Sequence, residues 1–176
     1  MRICCHKDDS FLIQLEINAC HRGTKIIVAY GTVELACRLI DARFPDYKVV
    51  IPSDNPYHLT VGKSDFQGAL RRVSVFSNKS TNQVALTITG RELQLAAQDV
   101  DFSFEGNERM GCEYDGGNLQ IAFNAKFLIE MLNGADTDQV TVELSTPTKA
   151  GIIKPSEQSK DEELLMLVMP LMLNNN

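Results

Sequence analysis

The chain has 176 residues, of which 44% are hydrophobic and 23% charged, and its formal net charge is −6. These values suit one folded domain, or two domains if one of them is small. They exclude a disordered chain and a nucleic-acid-binding protein that is basic over its whole surface. The longest apolar run, residues 164–173, contains Pro170 and is far shorter than the roughly 20 residues that a membrane helix needs. No apolar stretch follows a basic start at the N-terminus, so we expect no signal peptide and a cytoplasmic protein.

The N-terminal region contains a group of cysteines and histidines, the residue types that bind metal ions in structural sites. Its members are Cys4, Cys5, His6, Cys20 and His21. Structural zinc sites usually separate paired ligands by two to four residues, whereas adjacent residues of an extended chain point to opposite faces. We therefore predict no metal and no cofactor, and keep a small thiol- or metal-dependent protein as the alternative function.

The first part of the chain has the alternation of β-strands. Residues 1–9 have no pattern, and residues 11–17 alternate between apolar and polar positions. Residues 19–24 contain Gly23 and predict a turn, and residues 25–29 and 33–39 predict two further strands. Prolines then crowd a stretch that we interpret as an extended connector over residues 45–56.

The remainder, residues 57–173, contains the same β-α-β-β-β pattern twice. The first helix is predicted from an N-cap at Ser64, with Gln67 as its capping-box partner, to about Ser77. The second is predicted after an N-cap at Asn124. The apolar helix positions are Phe66, Ala69, Leu70 and Val73 in the first half, and Phe127, Leu128, Met131 and Leu132 in the second. The repeat predicts an α+β fold in which two helices pack on antiparallel sheets.

Signatures of catalysis are missing from the sequence. It contains no phosphate-binding glycine loop and no G-x-S-x-G nucleophile elbow. Asp99 and Asp101 are expected in a solvated turn, because exposed carboxylates are ordinary surface groups. These observations favour a binding or structural module over an enzyme.

Separated segments of the chain, in the right order, resemble the bacterial DNA sliding clamp, the β subunit of DNA polymerase III. The clearest segment is CRLIDARFPDYKVVIP at residues 37–52, and another is LVMPLML at residues 167–173. ALRRVSVFS at residues 69–77 and FNAKFL at residues 123–128 match the helix regions of the family's third domain. The resemblance covers residues 25–173, and residues 10–24 more weakly.

The resemblance implies the DNA-clamp fold and a particular division of the chain. Residues 1–9 are unplaced, 10–44 are the end of the second clamp domain, 45–56 connect the domains, and 57–173 form the third domain. A clamp subunit has three such domains, so the chain is expected to be a truncated gene product or a fragment. Ring closure needs a first domain, which the resemblance does not place in this chain.

The resemblance also implies a non-catalytic processivity factor that tethers DNA polymerase to DNA. The implied partners are the polymerase III catalytic subunit, the clamp loader and repair polymerases, all bound through linear peptide motifs. Duplex DNA is the other partner, encircled without sequence readout by a homo-oligomer of the full-length protein; no membrane is involved. A peptide-binding module that never closes a ring remains a further alternative.

Three groups of site residues follow from the resemblance. The peptide pocket is assigned Pro45, Val49, Val50, Leu167, Met169, Pro170, Leu171 and Met172. Arg71, Arg72 and Lys126 are expected to face DNA, and Val75 and Phe76 to form the subunit interface. Flexible Met and Leu side chains suit varied apolar peptide anchors. The family often has Arg at the positions of Val49 and Met172, so the pocket rim should be less basic here.

Overall fold

The computed structural model describes residues 18–22, 25–30, 32–38, 46–158 and 163–173. Its internal contacts divide the chain into two compact units, Met1–Asp46 and Tyr47–Asn176. The segment 1–9, the predicted strand at 11–17 and Pro45 lie outside the described residues. Within the described ranges, no helix is long and apolar enough to cross a membrane.

The first unit is a three-stranded antiparallel sheet in the order β1-β2-β3. Its strands are β1 (Asn18–Arg22), β2 (Lys25–Tyr30) and β3 (Val33–Arg38). The prediction of a turn from residue 19 is wrong, because β1 occupies most of that stretch. Arg22 pairs with Lys25, so only two residues connect the strands.

The second unit contains a 3₁₀ helix, two α-helices and nine strands among its described residues. The 3₁₀ helix Tyr47–Val49 lies in the predicted connector. The α-helices are α1 (Lys63–Ser74) and α2 (Ala125–Gly134). The strands are β4 (Tyr57–Gly62), β5 (Gln83–Thr89), β6 (Glu92–Asp99), β7 (Phe104–Gly111), β8 (Glu113–Tyr114), β9 (Leu119–Asn124), β10 (Gln139–Leu144), β11 (Gly151–Pro155) and β12 (Met166–Val168).

The predicted duplication is present, and its two halves exchange their first strands. One sheet has the order β12-β11-β10-β4-β8 and the other β7-β6-β5-β9. Thus β4 of the first half pairs with β10 of the second, while β9 of the second pairs with β5 of the first. Each sheet therefore needs strands from both halves, so neither half can complete its sheet alone.

The helix N-termini differ from one another in how they are capped. Asn124 caps α2 as predicted, its Oδ1 accepting from the backbone N–H of Lys126 at 3.0 Å. The capping box at Ser64 is wrong, because Gly62 is the N-cap of α1 and makes no side-chain cap bond. Gln67 instead donates from Nε2 to Asn133 Oδ1 at 2.7 Å, which ties α1 to α2.

The core lies where the inner faces of the sheets meet the two helices. All four predicted positions of α1 are buried, as are Leu128 and Leu132 of α2. Phe127 is exposed, so its prediction as a core residue is wrong. It lies one residue before Leu128, about 100° away around the helix, and so misses the buried arc. Asp99 is buried and not solvated, because it alternates in register with the buried residues of β6.

Candidate functional site

Residues 166–173, the C-terminal segment, connect the edges of the two sheets of the second unit. β12 pairs with β11, and Val168 lies opposite Gly151. After Pro170 the chain reaches β9, where the Leu171 N–H donates to Ala122 O at 2.7 Å. Proline has no N–H to contribute to a ladder, which is consistent with the end of β12 before it. The segment is thus held at both ends by backbone hydrogen bonds.

Between and beyond these anchor points, the C-terminal segment exposes thioether side chains. Val168 is only 2% exposed and belongs to the core, whereas Met169 is 63% and Met172 77% exposed. Leu167, Pro170 and Leu171 are half-buried. Large exposed apolar side chains on a fixed backbone are the surface that an apolar peptide anchor can cover.

The connector approaches the same end of β11 as the C-terminal segment. Asn55 donates from Nδ2 to Ala150 O at 2.9 Å and to Glu143 O at 3.2 Å. Ala150 directly precedes Gly151, the partner of Val168 in β12. Val49 and Val50, a few residues before Asn55, are exposed, Val49 at 78%. Asn55 of the connector and Val168 of the C-terminal segment therefore meet the same end of β11, and exposed apolar residues lie a few positions away along each segment.

The three predicted DNA-facing cations are all exposed on the helices, but they differ in their partners. Arg72 forms a two-bond ion pair with Glu108 of β7, with Nη2 2.5 Å from Oε1 and Nε 3.0 Å from Oε2. The guanidinium of Arg72 holds the pKa of the Glu108 carboxyl below its usual range through this hydrogen bond. Arg71 and Lys126 form no ion pair with another residue that the structure describes. Two of the three cations are therefore available to an external anion.

The predicted interface residues lie in the turn that ends α1, beside β7. Helix α1 ends at Ser74 and not near Ser77, because the Phe76 and Ser77 N–H groups bond to carbonyls three residues back. The Phe76 ring covers Gly106 of β7 so closely that a Cβ on that glycine would overlap it. Val75 projects from the same turn and is exposed. Phe76 thus borders β7, an edge strand of the four-stranded sheet.

The sequence interpretation missed a polar pair, His58 and Asp115, which lies where β4 and β8 form one edge of the five-stranded sheet. Asp115 accepts from the His58 backbone N–H at 2.6 Å and lies 2.8 Å from its Nδ1. The backbone hydrogen bond from His58 is the main cause that lowers the pKa of Asp115. Because its pKa is lower in the folded state, the Asp115 carboxylate stabilises the fold at pH values above its unfolded-state pKa. This stabilisation is lost as the pH falls through the folded-state pKa. The pair is 57 residues apart in sequence, and no local spacing could have revealed it.

The alternative of a metal or thiol site finds no support in the described ranges. No group of three or more His, Cys, Asp or Glu residues there is arranged to hold a metal ion. Cys4, Cys5 and His6 lie outside the described residues, and Cys20 and His21 lie in β1. Cys112 is buried, and burial raises the pKa of its thiol, which disfavours the reactive thiolate.

Solved structures with the same fold are bacterial DNA sliding clamps. A clamp from Bartonella birtlesii, crystallised with griselimycin, superposes with a TM-score of 0.82 at 30% identity, over 89% of this chain and 41% of that one. A Pseudomonas aeruginosa clamp gives a TM-score of 0.81 at 25% identity, over 89% of this chain and 42% of that one. The α+β clamp fold predicted from the sequence is therefore confirmed.

Sequence comparison leads to the same class of protein. Residues 48–171 match the family model of the DNA polymerase III beta subunit, C-terminal domain. The beta sliding clamp of Synechocystis is 30% identical over 99% of this chain and 43% of its own length. That of Staphylococcus epidermidis is 27% identical over 89% of this chain and 41% of its own length. The chain belongs to the DNA polymerase III β subunit family, and it spans about two fifths of the length of these curated relatives.

Proposed function

We propose that this chain is the C-terminal portion of a sliding clamp and acts as a non-catalytic processivity factor in DNA replication. The observation that carries the proposal is the match of residues 48–171 to the family's C-terminal domain, together with the clamp fold of the second unit. In a clamp the polymerase does the chemistry, and the clamp only keeps it on DNA. The thiol- or metal-dependent alternative is not favoured by the comparisons.

Within this proposed function, peptide docking is the part with the most structural support in the second unit. We assign it to the exposed side chains of the C-terminal segment and to Val49 and Val50 of the connector; Pro45 stays a prediction from the sequence. The proposed occupants are linear peptides of the polymerase III catalytic subunit, the clamp loader and repair polymerases. The thioethers of Met169 and Met172 adapt to differing anchors, and one or two anchors supply most of the affinity of a short peptide.

The experiment that tests this assignment is a titration by fluorescence anisotropy. A labelled synthetic peptide that carries the clamp-binding motif of a polymerase is titrated with the intact chain. Saturable binding that an unlabelled copy of the peptide competes away is expected. An anisotropy that stays flat up to high micromolar chain would contradict the proposed peptide site.

DNA contact is proposed to be weak and independent of sequence. Arg71 and Lys126 are the cations proposed to meet phosphates, since Arg72 is already bound to Glu108. Two phosphate contacts give a slope of log K against log salt of about −1.8 at most. In a whole clamp, encirclement and not affinity would keep the protein on DNA.

We therefore expect almost no stable binding of this chain to linear duplex DNA at physiological salt. At low salt, the residual binding should follow a shallow slope of about −1.8, and Arg71→Gln with Lys126→Gln should abolish it. Arg91→Gln, an exposed cation in the β5–β6 turn, is the matched control and should change little. Tight or sequence-specific binding in a gel-shift assay would contradict this part of the proposal.

Val75 and Phe76 are proposed to contact a neighbouring subunit in the full-length clamp. Phe76 covers Gly106 of the edge strand β7, whose outer side has no partner strand among the described residues. Unpaired edges of this kind are ready templates for pairing with another chain. In the full clamp, the resemblance implies that this partner is the first domain of the next subunit.

A further inference from the structure

We propose that Met169 and Met172 are sites of oxidation by peroxide, and that their conversion to methionine sulfoxide weakens the binding of apolar peptide anchors to the C-terminal segment. The co-substrate is a hydroperoxide, with hydrogen peroxide as the simplest member of its class. The part of the proposal that concerns binding rests on the proposed peptide-docking function. The part that concerns the site of oxidation stands without it.

The methionines that the structure describes differ in their access to solvent. Met169 is 63% exposed and Met172 is 77% exposed. Since peroxide must reach the sulfur atom, susceptibility to oxidation follows exposure. Both exposed thioethers therefore lie within four residues of each other, in the C-terminal segment. The other described methionines are half-buried and pack against the hydrophobic core: Met110, Met131 and Met166.

The backbone is held just before each exposed thioether, so an oxygen atom can be added there without unfolding the chain. Val168, which directly precedes Met169, is 2% exposed and belongs to the core. The Leu171 N–H, which directly precedes Met172, donates to Ala122 O at 2.7 Å. The segment is thus fixed by its backbone and by Val168, and neither thioether is needed to hold it in place.

The modification is a two-electron oxidation of sulfur. A lone pair of the thioether sulfur attacks one oxygen of hydrogen peroxide, and the sulfur–oxygen bond forms as the O–O bond breaks. The proton on the transferred oxygen passes to the departing hydroxide, which leaves as water. Sulfur loses the two electrons that the peroxide gains. The product, a sulfoxide, is polar and chiral where the thioether was apolar, and reductases specific for each epimer can reverse its formation.

A sulfoxide at either position opposes the docking of an apolar anchor. Its oxygen is a hydrogen-bond acceptor that water solvates in the free chain and that an apolar anchor would cover. The adjacent backbone offers no replacement donor, because Pro170 has no N–H and the Leu171 N–H is already bonded to Ala122 O. Covering a polar group without a partner is unfavourable, so oxidation should weaken peptide binding about tenfold.

The site of oxidation is tested by treating the intact chain with graded hydrogen peroxide and locating the sulfoxides by fragmentation mass spectrometry. Sulfoxide should form at Met169 and Met172 before it forms at Met166, a half-buried methionine of the same segment that serves as the internal control. Circular dichroism should show the same urea midpoint before and after this first stage. Earlier oxidation of Met166, or of the other half-buried methionines, would overturn the proposal.

The effect on binding is measured with the anisotropy titration of the polymerase-derived peptide. Dithiothreitol is added after the peroxide, because it reverses disulfides and sulfenic acids at cysteines such as the exposed Cys37 but leaves sulfoxides in place. The affinity should fall about tenfold. Methionine sulfoxide reductases A and B together should restore it, since each enzyme reduces one epimer.

Two variants assign this effect to the exposed thioethers. The double variant M169L/M172L, compared with its own untreated form, should show the same affinity before and after peroxide. Met110→Leu removes a thioether from β7, at the opposite end of the four-stranded sheet from the Ala122–Leu171 bridge, and should respond to peroxide like the wild type.

Each outcome decides one part of the proposal. An unchanged affinity of the oxidised wild type, or an equal loss in the double variant, would overturn the effect on binding. If the untreated wild type binds no peptide, the proposed docking function fails and the effect on binding fails with it. The order of oxidation found by mass spectrometry would still decide where peroxide acts.

Discussion

Replacement of Val168 by Asp is expected to lower the free energy of unfolding by about 3–5 kcal/mol, because it leaves an uncompensated charge in the core. Val168 is 2% exposed, ends β12 and belongs to the same apolar cluster as the helix residues. The Val168 side chain is close to the space above Gly151 on β11, where a Cβ would lie 3.4 Å from it. An Asp there would place its carboxylate among the apolar side chains of this cluster and would release the C-terminal segment from its sheet.

Met169→Asp is the matched control, because the neighbouring side chain is exposed and its change should alter stability by no more than about 0.5 kcal/mol. Urea denaturation followed by circular dichroism measures both variants. Equal stabilities for the two would mean that β12 is not part of the folded core.

Replacement of Met172 by Asp is expected to weaken binding of the polymerase-derived peptide about 30-fold without unfolding the chain. A central apolar anchor contact contributes about 2 kcal/mol or more, and a new carboxylate must also be desolvated when the peptide docks. The side chain is 77% exposed, so the folded state does not depend on it. The anisotropy titration used for the wild type measures the loss.

Val75→Asp provides the comparison for that experiment. Val75 is similarly exposed, at 64%, but lies in the turn after α1, away from the C-terminal segment in the chain. Its substitution should leave peptide affinity unchanged. If Met172→Asp binds as tightly as Val75→Asp, Met172 does not belong to the peptide site.

The repeat and its strands could be predicted because each depends on local pattern. Alternation of apolar residues located β5 and β6, and the Asn124 cap located the start of α2. The exchange of β4 and β9 between the halves could not be predicted, since strand pairing is decided by contacts far apart in sequence. Asp99 could have been predicted as buried, because it continues the period-two pattern of β6 beyond Ala97.

The candidate site was accessible from the sequence only through the family resemblance. Composition and periodicity cannot distinguish the exposed Met172 from the buried Val168, because both belong to one apolar run. The neutralisation of Arg72 by Glu108 was also hidden, since 36 residues separate the pair.

The central claim, that the C-terminal segment is the docking surface for clamp-binding peptides, has a direct test in the methionine methyl groups. The chain contains six methionines, and carbon-13 labelling makes each methyl an NMR reporter. Met169 and Met172 lie in the proposed site, whereas Met110 lies on β7 and Met131 on α2. Titration with the polymerase-derived peptide should shift the resonances of Met169 and Met172 and leave those of Met110 and Met131 in place. Shifts at Met110 or Met131 with unchanged Met169 and Met172 signals would contradict the claim.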